Sequence, residues 1–177
     1  LIMAILTIKN DNIRERNIDH TMNQMNLLSN DGNIVAFSNE HQRIFNNALA
    51  IYYENKLFGV GPKLFRKYCK DSIEENKSYQ CSTHPHNTYL QIMSETGTIG
   101  FLFIASCFLY IIYLMLQHTF LLFKGKNSLI NDYRICLLIC IFLTLWPILP
   151  TQSFFNNWIN VIYFLPIGFY LNSLSRN

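Results

Sequence analysis

Charged side chains are few in this sequence. Asp, Glu, Lys and Arg make up 14% of the 177 residues, against 50% hydrophobic and 15% aromatic. The shortage is local. Residues 101–123 carry no formal charge at all, and from residue 101 onwards Asp132 is the lone acid beside Lys124, Lys126, Arg134 and Arg176. Residues 9–100, by contrast, hold ten basic and ten acidic side chains. The net charge of +3 therefore belongs to the apolar half, which argues for membrane topology and against nucleic acid as a partner. Cysteine is also sparse. Five residues with no CxxC and no Cys/His metal spacing exclude a disulfide scaffold or a zinc knuckle. An initiator methionine is missing too. The opening Leu-Ile-Met-Ala-Ile-Leu is too short to span a bilayer and lacks the basic region and cleavage site of a signal peptide. It reads as the end of a transmembrane helix that begins upstream, so the chain is expected to be the C-terminal piece of a larger polytopic protein.

What is present divides at one stretch, His84-Pro85-His86-Asn87 and the residues that follow to Phe101. Beyond it, the uncharged 101–123 run would span roughly 34 Å as a helix, enough for a hydrocarbon core of about 30 Å. Pro85 suits a turn leading into a helix, and Asn87 is a good N-cap. His86, Leu90 and Met93 then share a helical face, with His86 beside the first turn, where free N–H groups favour an anion such as a diphosphate. Gly97 and Gly100 would admit the close approach of a neighbouring helix or lipid chain.

Upstream, residues 9–37 are Asn-rich and weakly periodic, with a turn at Asn30-Asp31-Gly32-Asn33. Ser38 is an N-cap candidate for an amphipathic helix in which Ile44, Phe45, Ala48, Leu49 and Tyr52 recur at helical spacing and which ends near Glu54-Asn55. Arg43 lies early in it. Leu57-Phe58-Gly59-Val60-Gly61-Pro62 reads as a tight apolar turn, and a short basic-aromatic helix follows from Lys63 to Tyr68. Cys69 and Cys81 flank the acidic 71–75 stretch and either pair or remain free thiols, whereas Cys107, Cys136 and Cys140 read as small hydrophobes. Two shorter apolar runs, 135–149 with Pro147 and 158–171 with Pro166, complete the chain.

The His86-Asn87 stretch resembles the shared motif of the O-antigen ligase and O-antigen polymerase family of membrane glycosyltransferases. That motif is His, then Asn, Ser or Gln, nine residues, Gly, two residues and a small residue or Tyr. Here it reads His86-Asn87, Thr88 to Thr96, Gly97, Thr98-Ile99, Gly100. Tyr89, Leu90, Glu95 and Ile99 are similar to the family as well, as is the upstream order of an Arg-bearing helix, a Gly-Val-Gly-Pro turn and a nearby Phe. The family's Arg followed by Leu is not reproduced at Arg43. Arg134 with Leu138 fits that spacing formally, but on the far side of the first spanning helix.

The resemblance implies an all-α integral membrane fold: the C-terminal part of a polytopic bundle with a large, partly helical periplasmic loop. The expected boundaries are 1–8 for the truncated helix, 9–86 for the periplasmic loop and 87–123 for the motif helix. A cytoplasmic loop at 124–134, a spanning helix at 135–150, a periplasmic turn at 151–157, a spanning helix at 158–172 and a cytoplasmic tail at 173–177 follow. The basic residues of the 124–134 loop and Arg176 orient those ends to the cytoplasm. The implied activity is metal-independent, cofactor-free transfer of a glycan from undecaprenyl diphosphate, with inversion, at the periplasmic face of the bacterial inner (plasma) membrane. The acceptor is lipid A-core for a ligase and another lipid-linked glycan for a polymerase. Protein O-glycosylation stays open.

His86 is the candidate general base or diphosphate stabiliser, with an ordinary pKa of about 6.5. Arg43 first and Arg66 second are candidates to hold the diphosphate bidentately. Asn87, Tyr89 and Glu95 are candidate substrate contacts. Glu95 otherwise pairs with an Arg or sits at the water level, and Tyr89, Phe154, Phe155 and Trp158 otherwise act as interfacial aromatics. His84 reads as a bystander, and Lys63, Lys67 and Lys70 as a solvated face drawn to anionic membrane lipids. The competing reading is a non-catalytic polytopic protein, a transporter or assembly subunit with a periplasmic docking loop. It would not need His86 and Arg43 to converge, as the enzyme reading expects them to.

Overall fold

A computed structural model describes residues 11–19, 22–23, 38–75, 81–126 and 130–175. The expected truncated helix at 1–8, the 30–33 turn, most of the Asn-rich segment and Arg176 lie outside the described residues. Among the described residues the secondary structure is all helical. A short helix α1 (Asp11–Arg14) continues as a wider turn at Glu15–Asp19. Then come α2 (Asn39–Glu54), α3 (Phe65–Glu75), α4 (Thr88–Phe123), α5 (Asp132–Thr144) and α6 (Asn157–Ser175).

The start of α2 is set by Ser38, whose hydroxyl accepts the His41 N–H, and its end by Asn55. Ile44, Ala48 and Ile51, at i, i+4 and i+7, form its buried stripe against Phe65 and Cys69 of α3, with Val60, Cys81 and Leu90 packed around them. Full burial of a side chain such as Phe65 contributes about 1.5–3 kcal/mol. Cys69 and Cys81 are joined in a disulfide that fastens the end of this unit to the segment leading into α4. The sequence left that pairing open.

The second core lies between the apolar helices. Phe108 and Ile111 of α4 meet Leu138, Ile141 and Leu145 of and just beyond α5, with Ile167 and Tyr170 of α6 packed against them. Large apolar side chains all round α4 remain exposed, among them Leu102, Phe103, Leu109, Leu116 and Phe120. A helix that is apolar on every side and yet uncovered is suited to lipid rather than to water. Among the described residues α4 is the one helix long and apolar enough to cross a membrane, by length and composition. The run expected to cross at 135–150 is helical only over Asp132–Thr144, roughly 20 Å, and leaves helical geometry ahead of Pro147. The run expected at 158–172 sits within α6, with Pro166 inside it.

The helix α4 is not continuous. At Gly97 the backbone takes φ 69° and ψ −165°, open to glycine and closed to other residues. In an unbroken helix the Thr98 and Ile99 N–H groups would donate to Ser94 and Glu95. Here they donate to the carbonyls of Lys56 at 2.7 Å and Leu57 at 3.5 Å. The Ser94 and Glu95 carbonyls accept instead from Val60 at 3.0 Å and Gly61 at 2.8 Å. The Gly-Val-Gly turn is thus spliced into the break and satisfies the backbone groups that the break frees. Gly97 does permit a close approach, as its place in the sequence suggested, but the approaching group is this turn. At Gly100 the near neighbour is the Thr96 side chain.

Candidate functional site

The polar end of α4 is built by its own first turns. Asn87 caps the helix, its Oδ1 accepting the Tyr89 and Leu90 N–H groups at 3.0 and 3.1 Å. One residue earlier, His86 adopts φ 56°, a left-handed conformation uncommon outside glycine. From here the motif residues reach across to the segment after α5. The His86 carbonyl accepts the Thr151 N–H at 2.9 Å, and Thr88 Oγ1 donates to Thr151 Oγ1 at 2.9 Å. Asn87 Nδ2 donates to the Pro147 carbonyl at 2.7 Å, and the Tyr89 hydroxyl to the Leu145 carbonyl at 2.7 Å. Gln91 Oε1 accepts the Phe154 N–H at 2.8 Å while its Nε2 donates to Ser153 Oγ at 3.0 Å.

Glu95, two turns into α4, is fully buried. Its carboxylate accepts the Lys63 N–H at 2.9 Å and the Phe65 N–H at 3.1 Å, one on each oxygen, with Gln91 Nε2 at 3.3 Å. It is paired with backbone donors at the start of α3 and with no arginine. Lys63 is held at φ 65° in the turn that delivers them.

Between these elements opens a cleft of about 550 Å³. Lys63, Arg66, His84 and Glu95 line one side, and Ser153, Asn156 and Trp158 are on the other. Of the candidates read from the sequence, the structure brings Arg66 and Glu95 to this cleft. It adds Lys63 and His84, expected as a solvated cation and a bystander. His86 stands directly behind His84, ring centroids 4.2 Å apart, and its Nε2 is 3.0 Å from Ser82 Oγ. The His41 ring of α2 lies 5.5 Å away on another side. Arg43 is exposed on α2. Two residues beyond His41, it points away from the face that His41 presents to His86. Arg134 lies at the opposite end of α5 from the cleft, where its guanidinium donates to the side chain and carbonyl of Ser173.

His84 and His86 are both biased toward the neutral form. Burial holds the His86 pKa below its ordinary value, and the nearby His41 adds to this. Burial likewise lowers His84, as does its neighbour His86, against a smaller opposing effect of the Thr151 backbone. Nδ1 of His84 lies 3.0 Å from Thr83 Oγ1, while its Nε2 is buried without a hydrogen-bond partner. Below the cleft an apolar cavity of about 420 Å³ runs between α4, α5 and α6, with Phe154 at the junction.

Sequence reasoning missed Gln91 and His41. Gln91 lies four residues after Asn87 and four before Glu95, so one helical face carries all three. That signal was available. Nothing in the sequence joined His41 to His86.

Among the described residues one helix is long and apolar enough to cross a bilayer, and a cleft bearing Lys63 and Arg66 opens at its polar end. Residues 18–105 match the sequence model of the O-antigen ligase family, and the chain belongs to that family. The match takes in α2, the glycine turn, α3 and the capped start of α4. It makes this a glycosyltransferase-type protein of surface polysaccharide biosynthesis, in a family that is generally found in the inner membrane. No curated protein and no solved structure matches the chain.

Proposed function

We propose that this chain carries the acceptor- and donor-handling part of a glycosyltransferase that moves a glycan from undecaprenyl diphosphate to an acceptor hydroxyl at the periplasmic face. The observation that carries the reading is the convergence of Lys63, Arg66 and His84 on one cleft at the mouth of α4, within the segment assigned to the family. The leaving diphosphate concentrates negative charge, and two cations at a partly desolvated surface suit it. The apolar cavity beneath suits the first units of an isoprenoid tail. A disulfide between Cys69 and Cys81 suits an oxidising compartment on that side.

In this reading the acceptor oxygen forms a new bond to the anomeric carbon as the bond from that carbon to the diphosphate oxygen breaks. The electron pair leaves with the diphosphate. The hydroxyl proton passes to the His86 imidazole, acting as general base on an acceptor that enters from the His86 side, since His86 itself does not line the cleft that holds the diphosphate. Lys63 and Arg66 hold the departing charge, and the clamp of Asn87, Tyr89 and Gln91 onto the 145–154 segment keeps the histidines in register. A lipid A-core acceptor makes the protein a ligase and a lipid-linked repeat makes it a polymerase. Protein O-glycosylation is the third variant.

Complementation tests it. The full-length parent with Arg66→Ala or Arg43→Ala is expressed in a host lacking its own ligase or polymerase, with its level in the membrane checked. The cleft reading expects long-chain surface glycan to be lost with Arg66→Ala and affected less by Arg43→Ala. Accumulated free lipid-linked polymer marks a lost ligase, and single capped repeats mark a lost polymerase. Normal glycan with Arg66→Ala at normal membrane level rejects the cleft as the diphosphate site.

A further inference from the structure

We infer that His84, beside the motif histidine, is itself a ligand-contacting residue: its Nε2–H completes, with Arg66 and Lys63, a three-donor site for a diphosphate. The inference rests on the cleft reading above and assigns a role to a residue outside the His-Asn motif.

Three observations carry it. His84 lines the cleft, whereas His86 does not. Its Nε2 is buried and makes no hydrogen bond of good geometry, although the Thr151 backbone lies near the ring, and a buried polar atom in that state is costly unless something fills it. On the other side of the ring, Thr83 Oγ1 lies 3.0 Å from Nδ1. In the tautomer in which that hydroxyl donates to Nδ1, the ring proton resides on Nε2 and the orphan atom is a donor; this is the tautomer that the site requires.

The rest of the cleft wall has the same imbalance. Lys63 and Arg66 bring further donors, and neither is in an ion pair among the described residues. The carboxylate of the wall, Glu95, is occupied by the Lys63 and Phe65 N–H groups and by Gln91. A surface with surplus donors and its one acid already engaged calls for a ligand rich in acceptor oxygens. A diphosphate supplies oxygens over a span that three separate donors can share. His86 packs against the back of the His84 ring at 4.2 Å and fixes its direction.

The test uses the purified full-length parent in detergent, with inorganic pyrophosphate as the probe and calorimetry as the readout. Two variants separate chemistry from shape. His84→Phe keeps a ring but removes the donor, and His84→Gln places an amide N–H near the position of Nε2. The expected result is at least tenfold weaker pyrophosphate binding with Phe and binding within about threefold of the unmodified protein with Gln. Equal binding by all three proteins, with Arg66→Ala still weakening it, overturns the role of His84 and leaves the cleft reading standing. Equal loss with Phe and Gln also overturns it, because the ring would then matter only as packing. Orthophosphate binding as tightly as pyrophosphate overturns the assignment of a diphosphate. If the unmodified protein binds no pyrophosphate, the cleft reading and this inference fail together.

Discussion

A Cβ placed on Gly97 would lie 2.3 Å from the carbonyl oxygen of Leu57. This contact joins two stretches that lie 40 residues apart: the turn after α2 and the break in α4. The same pairing is tight from the other side, where a Cβ on Gly59 would lie 2.4 Å from the Glu95 carbonyl carbon. The mouth of the apolar helix is therefore held by backbone, and the cleft residues are positioned by that junction.

Gly97→Ala is expected to destabilise the protein severely. The backbone conformation at Gly97, open essentially only to glycine, alone costs about 1–3 kcal/mol for an L-residue, and the clash is with backbone that cannot swing aside. Thermal unfolding in detergent should show a large fall, or the variant should fail to accumulate. Gly168→Ala is the control. It sits in α6 with nothing within 4 Å of the added Cβ, and should leave stability unchanged or slightly raised.

Glu95→Gln should cost about 1–3 kcal/mol. One carboxylate oxygen accepts the Lys63 N–H and the other the Phe65 N–H, so an amide must turn its NH₂ toward one of two buried donors. Denaturant unfolding of the unmodified and Gln proteins gives the difference. Unchanged stability would show that the carboxylate does not hold the start of α3.

Much of this architecture was legible in the sequence. Ser38 and Asn87 were read as caps because a short polar side chain before an apolar-periodic run has one obvious use. Of the stripe expected from helical spacing, Ile44 and Ala48 are buried while Phe45, Leu49 and Tyr52 are half-buried, and the third buried apolar residue, Ile51, was not named. The splice at Gly97 was not legible. Its bonds join backbone groups, which every residue carries, so no side-chain pattern marks them. The cleft was half legible: Arg66 and Glu95 were named for their chemistry, but Lys63 gained its place from the turn at residues 59–63 and His84 from the segment leading into α4. Arg43 carried the family-like position in its helix, yet its side chain is exposed outside the cleft.

Reduction of Cys69–Cys81, or Cys81→Ser, should lower stability by roughly 2–4 kcal/mol, since the bond closes a loop between residues 12 apart in sequence. Peptide mapping of protein purified without reductant should recover the linked pair. Recovery of two free thiols would contradict the pairing.

Stability should fall as pH drops below about 6.5. Burial and neighbouring histidines lower the pKa of His84 and His86 in the folded state. Between the unfolded and folded pKa values the unfolded chain binds more protons, so stability rises with pH across that window. The contribution is lost as acid approaches the lowered folded values. A thermal-shift series from pH 7.5 to about 5 checks the sign. Replacing both histidines with Gln should flatten the dependence in that range.

The most direct test of the glycosyltransferase account is transfer by the purified full-length parent, comparing the unmodified protein with His86→Ala. Both are given an undecaprenyl-diphosphate-linked glycan and an acceptor, and product is quantified at matched protein. A positioned general base typically contributes 10²–10⁴-fold, so the account predicts a fall of at least about a hundredfold with the fold retained. Transfer at the unmodified rate would contradict it, and would leave the His-Asn motif as the clamp that closes the mouth of the helix.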